Sequence, residues 1–274
     1  MKFFILFSIV LSSYVCAQNK SVYAEDSRKD YFEIDDNLIK DQSKAIAIQV
    51  DKKALLDKGD YYRLQTQSLR AFNYCSSFKF SNQYSVGKCT GFLVNKNKLL
   101  TSATCVKNQF DCDNNSWVFN YTKKSKYHNP ITSKKEHVYK CKQILKRKYS
   151  TKYKTSFALI ELTKEVLDIQ PLELAAASPE LNDNIYMIGS PHGLPLKLST
   201  EANIKKIYKS FFKATVDAAK SNSGSPVFNS KSQVIGVYSH GPSQSSTRGD
   251  CLVPSKYNGK SGYEYITRTD IIIP

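Results

Sequence analysis

The sequence lacks the features that mark several large classes of protein. After an apolar run at residues 3–11, no stretch is apolar enough to cross a membrane, and that first run is itself too short. There is no internal repeat, no low-complexity tract and no glycine-rich nucleotide-binding fingerprint. These absences argue against a membrane-spanning protein, a repeat protein and a nucleotide-dependent enzyme. We predict no cofactor.

Metal-binding patterns are also missing. The cysteines form no CxxC pair, and no pair of histidines lies near them, so we predict no metal site. Six cysteines remain once Cys16 is set aside with the leader described below: Cys75, Cys89, Cys105, Cys112, Cys141 and Cys251. An even number in an exported chain favours up to three disulfides and an oxidising compartment.

The first residues have the pattern of a secretory signal peptide. A lysine at position 2, a short apolar run and small residues before Gln18 predict cleavage after Ala17. We therefore expect a secreted or periplasmic protein. Lipidation of Cys16 is the alternative, but Val15 is bulkier than the small residue that usually precedes a lipidated cysteine.

Positive charge dominates the sequence and is unevenly distributed. The formal net charge is +16, and residues 123–154 hold eleven lysines and Arg147 against one acid, Glu136. This density indicates either a solvated face or a surface for a polyanion such as a polysaccharide or a bacterial envelope. We expect no specific binding of nucleic acid. The residues predicted on this surface are Lys123, Lys124, Lys126, Lys140, Lys142, Lys146, Arg147 and Lys148.

The chain changes character near residue 70. Residues 18–70 are polar and form an N-terminal extension, which we interpret as either a structural wrap or a remnant propeptide. Residues 39–56 favour a helix, although residues 45–50 are also compatible with a strand. From Ala71 onward, short apolar runs broken by turn residues predict an antiparallel all-β body, with a hairpin at residues 91–103.

Four motifs in order resemble the trypsin-like serine proteases, especially their bacterial secreted members. They are Cys-Thr-Gly-Phe-Leu-Val at 89–94 with Leu-Thr-Ser-Ala-Thr-Cys at 100–105, Thr-Ser-Phe-Ala-Leu-Ile-Glu-Leu at 155–162, Asn-Ser-Gly-Ser-Pro-Val-Phe at 222–228, and Ile-Gly-Val-Tyr-Ser-His-Gly at 235–241. The resemblance implies an all-β fold of two six-stranded antiparallel β-barrels with the site between them. We assign residues 1–17 to the signal peptide, 71–170 to the first barrel and 171–274 to the second.

The resemblance fails where the catalytic chemistry of that family lies. Ser223 stands at the nucleophile position, but Thr104 occupies the position of the histidine base and Ser156 that of the orienting aspartate. A serine hydroxyl is a poor nucleophile without a base, and a threonine hydroxyl cannot act as one near neutral pH. The backbone of Ser221 and Ser223 matches the oxyanion hole, where the family usually has glycine in place of Ser221.

The resemblance also assigns residues to the specificity pocket and to one disulfide. Asp217 matches the carboxylate that gives trypsin-like enzymes their preference for Lys or Arg, although it is equally compatible with an inherited structural role. Lys220, His240 and Gly241 are predicted to line the pocket. The resemblance implies a Cys89–Cys105 disulfide. We pair Cys75 with Cys251 and Cys112 with Cys141 only as a guess.

These residues lead to three hypotheses about function. We favour an inactive protease homologue, a pseudoprotease that binds a protein or peptide in its former substrate cleft. The second hypothesis is a serine endopeptidase with a rearranged site and a preference for Lys or Arg. The third is a protein that binds a polyanion or the cell envelope through its basic surface.

Overall fold

The computed structural model describes residues 21–23, 26–242, 245–258, 260 and 262–272, so the predicted signal peptide lies outside the described residues. The strands, in chain order, are β1 (Ser21–Tyr23), β2 (Lys29–Asp30), β3 (Ile46–Asp51), β4 (Leu55–Asp57), β5 (Tyr61–Leu64), β6 (Gln67–Ser68), β7 (Tyr84–Ser85), β8 (Cys89–Asn95), β9 (Lys98–Thr101), β10 (Asn115–Phe119), β11 (Thr132–Lys134), β12 (Val138–Ser150), β13 (Thr155–Leu162), β14 (Asn184–Gly189), β15 (Lys197–Ile207), β16 (Phe211–Ala214), β17 (Pro226–Asn229), β18 (Val234–His240), β19 (Ser245–Arg248), β20 (Cys251–Tyr257) and β21 (Glu264–Arg268). The α-helices are α1 (Asn37–Lys44) and α2 (Gln109–Asn114).

Six strands close the first barrel in the order β3, β8, β9, β13, β12 and β10, with β10 returning to β3. All neighbouring pairs are antiparallel. Their apolar side chains fill the interior, with Trp117, Phe119 and Phe157 among the largest buried groups. Strands β3, β8 and β10 are buried along most of their length, and closure of the barrel removes the sheet edges.

The second barrel closes in the order β14, β17, β18, β21, β16 and β15, because β15 also pairs with β14. A separate apolar core fills it, including Phe212, Val227 and Ile266. The predicted fold of two six-stranded antiparallel β-barrels is therefore confirmed.

The predicted boundary at residue 70 is wrong for part of the extension. Asp36 caps α1 by accepting hydrogen bonds from the N–H groups of Leu38 and Ile39, and β3 begins two residues after the helix ends. Since β3 is a strand of the first barrel, that barrel begins at Ile46. The run at residues 45–50 is thus mainly strand, and its apolar residues on both faces are explained by burial along the strand.

Residues 21–23 and 26–30 pack against strands of the C-terminal half of the chain. β1 pairs in parallel with β20, and β2 extends the sheet at β15. Two ion pairs are buried here: Arg28 with Asp26 at 2.7 Å and Lys197 with Asp30 at 2.6 Å. A buried charge needs a partner, so this segment is an integral part of the folded body.

Three disulfides join the six cysteines. The predicted Cys89–Cys105 pair closes the hairpin of β8 and β9, and the guessed pairs Cys75–Cys251 and Cys112–Cys141 are also present. Such a set fits an extracellular protein. Among the described residues, no helix has the length and apolar character needed to cross a membrane.

Candidate functional site between the barrels

The loop before β17 holds Ser223 against both barrels. The carbonyl of Ser223 accepts a hydrogen bond from the Thr90 N–H at 2.9 Å, and the N–H of Gly224 donates to the Tyr238 carbonyl at 2.8 Å. Gly224 has φ +92°, and a Cβ there would overlap the Thr90 carbonyl oxygen. Glycine is therefore required at this close approach, and it fixes the position of the serine.

Neutral hydroxyl groups occupy the positions of the base and acid. The Thr104 Oγ1 lies 2.9 Å from the Ser102 Oγ, which lies 2.8 Å from the Ser156 Oγ. Ser102 and Ser156 are buried, whereas Thr104 is exposed at the cavity wall. None of these groups can take a proton from serine near neutral pH, because a hydroxyl is too weak a base.

The row of hydrogen bonds continues from Ser156 to the second barrel. Among the described residues, it includes no titratable side chain. The Ser156 N–H donates to the Thr267 Oγ1 at 2.9 Å, and that atom lies 2.9 Å from the Ser239 Oγ. The Ser223 hydroxyl donates to the Ser239 carbonyl at 3.1 Å. Within the described part of the chain, no histidine, lysine or carboxylate hydrogen-bonds to the Ser223 Oγ. The nucleophile position is thus tied to a backbone carbonyl.

The oxyanion-hole loop adopts a conformation that glycine would accept more easily. Ser221 has φ 75°, in the left-handed region, which costs a residue with a side chain about 1–3 kcal/mol. Its carbonyl accepts a hydrogen bond from the Thr90 Oγ1 at 3.0 Å, and the Lys220 carbonyl accepts one from the His192 N–H at 2.5 Å. Contacts within the protein therefore engage the carbonyls of Lys220 and Ser221.

A cavity of about 550 Å³ opens beside Ser223. The described residues that line it are Tyr74, Lys88, Cys89, Thr104, His192, Lys220, Ser221, Ser223, His240, Gly241, Pro242 and Ser245. The structure therefore brings together most of the predicted site residues at one surface. Ser156 lies behind Thr104, and Asp217 does not line the cavity.

The prediction that Asp217 receives a basic side chain in the pocket does not fit the structure. Asp217 is buried, and its carboxylate accepts hydrogen bonds from the Tyr23 N–H at 2.8 Å, the Ser27 N–H at 3.0 Å and the Ser27 hydroxyl at 2.9 Å. Burial raises the pKa of Asp217 to about 6, and the nearby Arg28 charge opposes that rise. Hydrogen bonds from Tyr23 and Ser27 therefore occupy the carboxylate that a basic side chain of a ligand would need.

Glu264 is a second buried carboxyl group close to the cavity wall. A Cβ on Gly241 would overlap its carboxylate, so Glu264 lies directly behind the glycine that lines the cavity. The Tyr238 hydroxyl donates to it at 2.7 Å. Burial raises the pKa of Glu264 to about 8, so the group holds its proton near neutral pH.

Two histidines line the cavity in different environments. His192 is buried, its Nδ1 lies 3.0 Å from the Tyr74 hydroxyl, and burial lowers its pKa to about 3. His240 is exposed and stacks on Tyr265 with ring centroids 4.6 Å apart. Burial of its ring and the Lys154 charge lower the pKa of His240. Both rings are therefore neutral at pH 7.

Sequence reasoning missed several residues of this site. Ser102 was visible in the Thr-Ser-Ala-Thr-Cys motif, where the family pattern has alanine, and it signalled a polar group beside the lost base. Ser239 and Thr267 gave no comparable signal, because they meet Ser156 only through the packing of β18 and β21 on β13.

Of the eight residues predicted on the basic surface, Lys123 is buried and the other seven are exposed. The Lys123 ammonium donates to the carbonyls of Lys126 and His128. Arg147 donates to the carbonyls of Ala103 and Val106, and so supports the loop that carries Thr104. The Lys146 ammonium donates to a backbone carbonyl near the C-terminus. The exposed residues of β12 include Lys140, Lys142, Lys146, Arg147 and Lys148.

A larger cavity of about 880 Å³ lies where the small sheet of β4, β5 and β11 meets residues 84–88. It shares Lys88 with the cavity beside Ser223. None of the hydroxyl groups that replace the triad lines it, so we place the candidate site in the smaller cavity.

Comparison with known proteins gives one family and one fold. The family model described as Trypsin matches residues 65–259. A solved structure of a Glu endopeptidase in complex with MPD has 14% sequence identity and a TM-score of 0.54, covering 92% of this chain and 96% of that one. The protease Rv3671c of M. tuberculosis H37Rv, in an inactive form, has 13% identity and a TM-score of 0.49, covering 86% and 89%. No curated protein matches.

Proposed function

This chain belongs to the trypsin family, and we propose that it is a member without peptidase activity that binds a peptide or protein segment in the cleft between its barrels. One observation carries the proposal. Thr104 and Ser156 stand at the positions matched to the base and the acid, Ser102 joins their hydroxyl groups by hydrogen bonds, and the Ser223 hydroxyl donates to a carbonyl.

The chemistry of acyl transfer supports the loss of activity. Attack by serine requires a base within hydrogen-bonding reach of its hydroxyl, and loss of that base costs about a million-fold in turnover in such enzymes. His240 is the nearest candidate for a substitute, but its ring stacks on Tyr265 and the pKa of its imidazole is lowered. The open cavity of about 550 Å³, which is lined by residues of both barrels, supports the binding half of the proposal.

A peptide library tests both halves of the proposal. The protein is immobilised and incubated with peptides derived from a proteome, and mass spectrometry identifies retained and cleaved peptides. We expect retention without cleavage. The control is Thr104→Trp, which fills the cavity from an exposed position and should abolish retention while leaving the melting temperature unchanged. Cleavage after Lys or Arg would instead establish the endopeptidase hypothesis, and equal retention by the control would remove the cleft as the binding site.

Binding of a polyanion is a second candidate function, favoured by the exposure of β12. Lys140, Lys142 and Lys148 lie along this strand, and Lys142 pairs with Glu161. Heparin is a suitable probe. We expect binding that weakens strongly between low and physiological salt and is reduced by the triple substitution of these lysines with glutamine. Binding that is insensitive to salt would contradict this function.

We further propose that the chain is exported after cleavage of residues 1–17. The three disulfides support an oxidising destination. N-terminal sequencing of protein recovered outside the producing cell should begin at Gln18. A chain that retains Met1 or carries a lipid on Cys16 would contradict this route.

A further inference from the structure

The walls of the cavity beside Ser223 carry two lysines and no carboxylate among the residues that the structure describes there. Lys88 and Lys220 lie at its surface, together with the histidines His192 and His240. Lys88 pairs with Asp51 at 2.8 Å. Lys220 is exposed, and among the described residues its ammonium has no ion-pair partner. An unpaired ammonium at a cavity surface attracts negative charge.

The carboxyl groups nearest the cavity contribute little negative charge to it. Asp217 is enclosed by the N–H groups of Tyr23 and Ser27 and by the Ser27 hydroxyl. Glu264 lies behind Gly241, where burial keeps it protonated at neutral pH. The charge pattern therefore differs from a pocket that accepts Lys or Arg, which needs an ionised carboxylate open to the ligand.

His192 adds a polar atom with an unmet hydrogen bond to this lining. Its Nδ1 lies 3.0 Å from the Tyr74 hydroxyl. In the described part of the chain, its Nε2 is buried without a hydrogen-bond partner. A buried polar atom of this kind favours a partner.

We propose that the cleft binds the carboxylate of its ligand, supplied by an acidic side chain or by a peptide C-terminus, and that Lys220 is the main residue that pairs with it. This inference rests on the proposed function, since it names the chemistry of the ligand in the same cleft. Lys154 contributes positive potential from the far side of His240, where its charge lowers the pKa of that ring. Charge-assisted hydrogen bonds from an ammonium to a carboxylate are short and strong.

Four fluorescein-labelled pentapeptides test the proposal by fluorescence anisotropy. Three have amidated C-termini and differ only at the central residue, which is Glu, Gln or Lys. The fourth has Gln at the centre and a free C-terminal carboxylate. We expect the Glu peptide or the free-acid peptide to bind at least about fivefold more tightly than the amidated Gln peptide, with the Lys peptide weakest. Which of the two acids binds identifies the source of the carboxylate.

The outcomes separate this inference from the proposed function. Tighter binding of the amidated Gln or Lys peptide would overturn the inference and leave peptide binding intact. Binding of none of the four, even at millimolar protein, would overturn the inference and also count against the proposed function.

A matched pair of lysine substitutions assigns the effect to one residue. Lys220→Gln should reduce the preference for the acidic peptide over its Gln counterpart by about fivefold, because it removes the unpaired charge at the cavity. Lys231→Gln changes an exposed lysine in the turn between β17 and β18, and should leave that preference unchanged. Both sites are exposed, so melting curves should match the unmodified protein. An unchanged preference in Lys220→Gln would overturn the role of this lysine.

Discussion

The two barrels differ in the kind of polar group that they bury. Beside the cleft, the first barrel buries neutral hydroxyls on Ser102 and Ser156. The second barrel and the segment packed on it bury charged or acidic side chains, namely Arg28, Asp30, Lys197, Asp217 and Glu264. Both sets are hydrogen-bonded, but only the second contains groups that exchange protons within the ordinary pH range.

This difference matters for the site, because these buried charged and acidic groups do not line the cavity beside Ser223. Burial moves the pKa of Asp217 to about 6 and those of Glu264 and Lys197 to about 8, so these groups titrate near the working pH of a serine protease. Their contacts, however, anchor Tyr23, Ser27 and Asp30 of the N-terminal segment or lie behind the cavity wall. The groups that face Ser223 from the first barrel cannot titrate there. The hydroxyl groups near Ser223 and the contacts that hold the N-terminal segment therefore lie on different barrels.

Breaking a buried ion pair of the second barrel should have the largest effect. Lys197→Met leaves Asp30 buried without its partner at 2.6 Å, and should lower the free energy of unfolding by about 3–5 kcal/mol. Lys44→Met removes an exposed pair with Asp41 and should have little effect. Urea denaturation measures both. Equal, small effects would show that the buried charges do not anchor the segment.

The pH dependence of stability gives a second test of the comparison. Glu264 has a raised pKa in the folded protein, so between pH 5 and pH 8 the native state holds a proton that the unfolded state has lost. Stability should therefore fall as the pH rises through this window, by up to about 4 kcal/mol from this group. His192 acts in the opposite sense below its ordinary pKa, since only the unfolded state protonates it there.

Glu264→Gln isolates that contribution. It keeps the size of the side chain while removing the ionisation, and should flatten the fall in melting temperature between pH 6.5 and pH 8. Glu165→Gln changes an exposed carboxylate and provides the control. A slope in Glu264→Gln as steep as in the unmodified protein would place the pH dependence elsewhere.

Removing a hydroxyl from the first barrel should have the smallest effect. Ser102→Ala breaks the hydrogen bonds to Thr104 and Ser156. It should lower the free energy of unfolding by about 1–2 kcal/mol, because the buried Ser156 hydroxyl loses its hydrogen bond to Ser102. Thermal denaturation measures the change. A loss as large as that of Lys197→Met would contradict the distinction between neutral and charged interiors.

Much of the fold could be predicted because its signals are local. The hairpin of β8 and β9 and the strand at β13 show apolar residues bounded by turns, and the motif order placed Ser223, Thr104 and Ser156 together. The boundary at residue 70 was wrong because β3 pairs with β8 and β10, which lie far away in the sequence. Nothing local marks that pairing.

The prediction that Asp217 lies open in the pocket was wrong for the same physical reason, because the contacts of its side chain are distant in the sequence. Asp217 was read from its distance to Ser223, but its hydrogen-bond partners lie 194 and 190 residues away, at Tyr23 and Ser27. A carboxylate in a loop gives no indication of which distant N–H groups enclose it. Lys123, predicted on the basic surface, is instead buried, and its ammonium donates to the carbonyls of Lys126 and His128.

Reaction of Ser223 with a fluorophosphonate is the most direct test of the central claim, because this reagent requires an activated serine. The mature protein and its Ser223→Ala variant are incubated with the reagent at pH 7.5 beside an active trypsin-family enzyme, and intact mass is recorded over time. The account predicts no adduct on either form of this protein while the active enzyme is fully labelled. Stoichiometric labelling that disappears in Ser223→Ala would contradict it.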